Sequence, residues 1–128
     1  MILNDPIGDL LTRMRNAQHA RHNFCRAPWS RIKQEICELM KRRGLLASVT
    51  VEGKDCEREI LVTFQPGRAI ELKRISTPGG RKYVGVDQLK KPLLHGHRLA
   101  ILTTSLGLLT DAEAKQKNVG GELLCTLS

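Results

Sequence analysis

The chain has 128 residues, in which 21 lysines and arginines outnumber 13 aspartates and glutamates, for a formal net charge of +8. That length suffices for one domain or two small ones with an ordinary core and no metal or disulfide staple, and the charge is the footprint of a protein that neutralises phosphates. The longest uncharged run, Leu99 to Thr110, is too short to span a bilayer and is interrupted by hydroxyls and Gly107.

The opening MILNDPIGDL lacks a basic segment followed by an apolar one, so no export signal is read and a cytoplasmic address is expected. A helix follows at once. Asn4 or Asp5 can cap it, Pro6 suits its first position, and Ile7, Leu10, Leu11, Met14 and Ala17 recur at spacings of three and four. Arg13 and Arg15 lie about 100° to either side of that stripe, so they are either solvated or in reach of an anionic partner; Asn16 is taken with them as a candidate RNA-binding residue. His19, His22 and Cys25 are spaced three apart. With no fourth ligand or neighbouring general base the two histidines read as solvated loop residues, not as part of a zinc site. The four cysteines stand singly, without a C-x-x-C pair, and are expected to be small buried apolar groups.

A second helix starts at Pro28 or Ser30 and buries Ile32, Ile36, Leu39 and Met40, with Lys41, Arg42 and Arg43 complementing its negative end and Gly44 closing it. Arg31 and Lys33 have no such structural role. They sit in the first turn, where positive charge is disfavoured unless an anion lies nearby. LLASVTVEG and EREILVTF then read as a hairpin around the turn from Gly53 to Glu57, and RAIELKRIS either extends it or leads away. The turn signals QPG and STPGG put a domain boundary between Gln65 and Gly80.

RKYVGV and RLAILTT are further strands, joined by the irregular basic stretch DQLKKPLLHGH. Thr110 opens a short helix with Glu113 as its capping-box partner, Asn118 is a left-handed stop, and GGELLCTL ends the chain as a strand. The expected fold is α+β: two small, mainly antiparallel units over residues 1–67 and 68–128.

TTSLGLLT, residues 103 to 110, places Thr103, Thr104 and Ser105 where a strand enters a turn and Gly107 where it leaves. Short hydroxyls that both donate and accept suit phosphate oxygens, ribose hydroxyls and base edges. They are equally ordinary in strands and turns. Ser105 has no G-x-S-x-G elbow, and there is no glycine-rich phosphate loop with its lysine, which leaves a hydrolase the weakest option. With only Phe24, Trp29, Phe64 and Tyr83 as aromatics, a stacking platform for single strands is disfavoured against recognition of a folded RNA. An RNA or DNA binding module therefore stays open.

DPIGDLLTRMRN (5–16), STPGGRKYVGV (76–86), ILTTSLGLLTDAEAK (101–115) and VGGELLC (119–125) together resemble the bacterial form of the family of the eighth small-subunit ribosomal protein. The resemblance implies two α+β units, no catalysis, no cofactor, and direct binding to the central domain of small-subunit ribosomal RNA during assembly. It implies RNA contact by the hydroxyl hairpin with Tyr83, Glu122, Arg81 and Lys82 close by, and by the segment around Ser30 and Arg31. Neighbouring ribosomal proteins five and twelve, and in some members the messenger of the protein's own operon, are further implied partners. This chain departs from the family pattern at Leu106, where a lysine is usual, at Thr103 in place of a serine, at His97 and Arg98 in a usually glycine-rich approach, and at Asn118 in place of glycine.

Overall fold

The structure, a computed structural model, describes residues 5–67, 70–77, 79–89 and 99–127. The fold is α+β, with two antiparallel sheets. Its contacts divide the chain into two units, Pro6–Ile70 and the remainder from Glu71 together with Asp5.

The first unit contains α1 (Pro6–His19), β1 (Phe24–Pro28), α2 (Arg31–Arg42), β2 (Leu46–Glu52) and β3 (Glu59–Phe64), with the sheet ordered β1-β3-β2. The apolar stripe of α1 is buried at Ile7, Leu10, Leu11 and Met14, and its last member, Ala17, is half-buried. α1 packs on β1 and α2 on β2, and the inward residues Ile60, Val62 and Phe64 of β3 complete the core. The β2–β3 hairpin forms as expected around Gly53, whose φ of +90° turns the chain into a 3-10 turn at Asp55–Glu57. Gly44, at φ +78°, ends α2: its N–H donates to the Lys41 carbonyl and that of Leu45 to Met40, which satisfies the last open carbonyls.

β1 is an element that local pattern missed. Five residues including a proline carry little signal, yet Phe24 to Pro28 pairs in full with Thr63 to Glu59, and the proline is tolerated at the strand end on a sheet edge. Cys25 and Ala27 face the core while Phe24 and Arg26 stay exposed. Three cysteines, Cys25, Cys37 and Cys125, are buried as expected; burial pushes the thiols of Cys37 and Cys125 up to about 12. Cys56 is the exception, exposed because it lies in the 3-10 turn.

The second unit contains β4 (Leu72–Arg74), β5 (Tyr83–Val84), the one-turn α3 (Val86–Leu89), β6 (Leu99–Thr104), β7 (Gly107–Thr110), α4 (Asp111–Lys117) and β8 (Gly121–Leu127). β4 leads away from the hairpin of the first unit and joins the order β4-β8-β6-β7, with β5 also paired to β8. Val84, Ala100, Leu102, Leu109, Ala114 and Leu123 form the core. The capping box is present: the Thr110 hydroxyl accepts from the Glu113 N–H at 3.2 Å, and Asn118 at φ +59° is the left-handed stop. Arg74 donates to the Leu124 carbonyl at 2.8 Å and to the Asp5 carboxylate at 3.0 Å, tying Asp5 to this unit. His97 and Arg98, singled out above, lie outside the described residues.

Candidate nucleic-acid interface

The second unit sets a row of side chains across four strands. Tyr83 on β5 stands opposite Glu122 on β8, Glu122 opposite Thr103 on β6, and Thr103 opposite Leu108 on β7. Two glycines make this spacing possible. A Cβ on Gly121 would overlap the Thr103 carbonyl oxygen, and one on Gly120 would stand 2.5 Å from the Val84 carbonyl oxygen, so any other residue would force β5 or β6 away.

At the β6–β7 hairpin the three hydroxyls have different roles. Thr104 closes the turn: its hydroxyl donates to the Gly107 carbonyl at 2.8 Å and accepts from the Leu106 N–H at 3.1 Å. Gly107 leaves the turn at φ +106°, a conformation that side chains rarely adopt. Ser105 is exposed and its hydroxyl has no partner among the described residues, while Thr103 is half-buried beside Glu122. Leu106, at the tip, is exposed.

The loop before β5 is fixed from inside by a residue that the turn motif concealed. Ser76 is 0% exposed, donates to Glu122 Oε2 at 2.5 Å and accepts from the Lys82 N–H at 3.1 Å. Arg81 reaches the same carboxylate oxygen at 3.1 Å, and the Lys82 carbonyl accepts from the Leu123 N–H at 2.8 Å. Burial would raise the Glu122 pKa, but the Ser76 hydroxyl and the Arg81 guanidinium together hold it below the usual carboxylate range. One ionised carboxylate therefore organises Ser76, Arg81 and the backbone at Lys82, next to a Tyr83 side chain that is 71% exposed.

In the first unit the expected residues divide. Ser30 is the N-cap of α2, its hydroxyl accepting from the Lys33 N–H at 3.3 Å. Arg31 is open, with 87% of its side chain exposed and, among the described residues, only an i,i+4 pair to Glu35 at 3.2 Å. Lys33 requires correction. It does have a structural role: 6% exposed, it donates from Nζ to the Pro28 carbonyl at 2.9 Å, and burial pulls its pKa down. Its position three and four residues before the buried Ile36 and Cys37 was the available signal. On α1, Arg13 pairs with Asp9 at 2.9 Å, Arg15 is half-buried and Asn16 is exposed.

Two of the four aromatics are buried or covered, Phe64 in the core and Trp29 with the Arg58 guanidinium 3.7 Å from its ring centre; Phe24 and Tyr83 are exposed. Among the described residues, no three His, Cys, Asp or Glu side chains come together as metal ligands, and no helix is long and apolar enough to cross a membrane.

Residues 5–127 match the sequence profile of Ribosomal protein S8. The chain is 46% identical to the Small ribosomal subunit protein uS8 of Lactobacillus delbrueckii subsp. bulgaricus, over 97% of both chains. Its identity to the Streptococcus pyogenes protein of the same name is also 46%, again over 97% of both. The chain belongs to the Ribosomal protein S8 family.

Proposed function

We propose that this protein is a noncatalytic constituent of the small ribosomal subunit in the cytoplasm, and that it binds the central domain of small-subunit ribosomal RNA directly during assembly. The observation that carries this reading is the row Tyr83, Glu122 and Thr103 beside the unpartnered Ser105 hydroxyl, with Arg81 held on the same carboxylate. An exposed ring, an unpartnered hydroxyl on a closed turn and a positioned cation suit a folded RNA with irregular backbone and unstacked bases, where charge alone would not discriminate. Arg31, Arg13 and Arg15 of the first unit add phosphate contacts and Asn16 a neutral hydrogen-bonding contact in this reading; the buried Lys33 does not. Ribosomal proteins five and twelve as neighbours, and repression through the protein's own operon messenger, follow from the family resemblance and belong to the same proposal.

Crosslinking in cells followed by sequencing of the bound RNA tests it. Reads concentrated in the central domain of small-subunit ribosomal RNA, with co-sedimentation in the small subunit, are expected. Reads spread over other RNAs or DNA, without co-sedimentation, would favour a nonribosomal binding module.

A further inference from the structure

A groove of about 310 Å³ lies on the first unit, between the C-terminal half of α1 and the edge strand β1. α1 contributes Arg13, Asn16 and Ala17; the chain leaving it contributes His22; β1 contributes Phe24, Cys25 and Arg26. Among the described residues no carboxylate lines it. We propose that this groove holds one unpaired nucleotide of the bound RNA, its base stacked on Phe24 and its phosphates against Arg13 and Arg26. The inference deepens the RNA-binding reading above and rests on it.

Four observations support this occupant. Phe24 is 48% exposed although it is one of only four aromatics in the chain, and an exposed ring offers a face on which any base can stack. The side-chain amide of Asn16 has no partner among the described residues, so it retains two donors and an acceptor that match a base edge. Arg13 and Arg26 are held at the groove by Asp9 at 2.9 Å and Glu52 at 3.1 Å, in pairs about half exposed on both sides. Such pairs contribute little and exchange readily for phosphate. Finally, the turn that brings His22 to the groove runs through Arg21 at φ +59°, a left-handed conformation in a residue with a Cβ, held by N–H bonds from Arg21 to Gln18 and from His22 to Ala17. The volume falls in the range of small-ligand sites, and the mix of one ring, one amide and two guanidiniums is that of a nucleotide site.

The test uses the full chain and a single-stranded RNA pentanucleotide with 2-aminopurine at its centre. Stacking on Phe24 should quench the fluorescence on binding. Phe24→Ala should weaken binding roughly five- to a hundredfold, the span expected for loss of one base–aromatic stack, and Phe24→Tyr should restore it. Thermal melts confirm that the variants are folded. Equal binding of an abasic pentanucleotide, or a Kd unchanged by Phe24→Ala, would overturn the proposal. Binding of deproteinised small-subunit ribosomal RNA is measured separately on the unchanged protein. Its absence alongside pentanucleotide capture would overturn the wider reading, and its presence without capture the groove alone.

Discussion

The two units hold their exposed polar groups in opposite ways. In the second, Thr104 is locked into its turn, Arg81 and Ser76 share the oxygen of one sparsely exposed carboxylate, and tandem glycines fix the strands that carry Tyr83 and Thr103. In the first, Arg13, Arg26 and Arg31 are held, among the described residues, only by exposed ion pairs. Groups fixed by buried or backbone bonds lose little freedom on binding and penalise a wrong partner. Groups in exposed pairs gain from any phosphate. In the RNA-binding reading proposed above, the second unit would thus discriminate and the first attract.

The largest expected effect breaks the first half of this contrast. Gly121→Ala should cost about 3 kcal/mol of stability, because its Cβ overlaps the Thr103 backbone and the two strands must part. Gly107→Ala meets open space and should cost only about 1 kcal/mol, from its positive φ. Denaturant melts of both variants measure the difference, and equal costs would mean that the row is not sterically set.

Lys33→Met sharpens the second half. Its ammonium is committed to the Pro28 carbonyl, so the variant should lose about 1 kcal/mol of stability while its affinity for RNA stays unchanged. A drop in affinity in a folded variant would return Lys33 to the phosphate-binding set.

A smaller effect follows from Glu122. Its folded pKa is lowered, so the stabilisation it gives is present above the ordinary value of 4.5 and is lost as pH falls through the folded value. Melting followed from roughly pH 6 to 3 should therefore show an acid loss that Glu122→Gln lacks. Identical pH profiles would mean that the carboxylate does not organise the loop.

Helical periodicity made much of this legible. α1 and α2 bury most of the stripes their spacing predicts, with Ala17 and Ile32 only half-buried, α2 and α4 start at the caps Ser30 and Thr110, and β3 of the hairpin alternates as its sequence does. β1 was hidden because a five-residue strand containing proline is specified by its partner β3, which is distant in sequence. Ser76 read as turn chemistry, since its carboxylate partner lies 46 residues away. The hydroxyls at 103 to 105 were legible as a group, but their division into a half-buried, a turn-closing and an exposed side chain depends on geometry that spacing does not encode.

Filter binding of the cognate ribosomal RNA at several salt concentrations, with Ser105→Ala and Arg31→Ala side by side, tests the contrast most directly. Ser105→Ala should cost roughly 1 to 3 kcal/mol on cognate RNA alone and leave the salt slope unchanged, because a neutral, desolvated partner is left unpaired. Arg31→Ala should weaken cognate and noncognate RNA alike and lower the slope by about one phosphate's share, roughly 0.7 to 0.9. If Ser105→Ala instead weakened every RNA equally, or none, the hydroxyl hairpin would be an ordinary strand end and the division of labour between the units would be wrong.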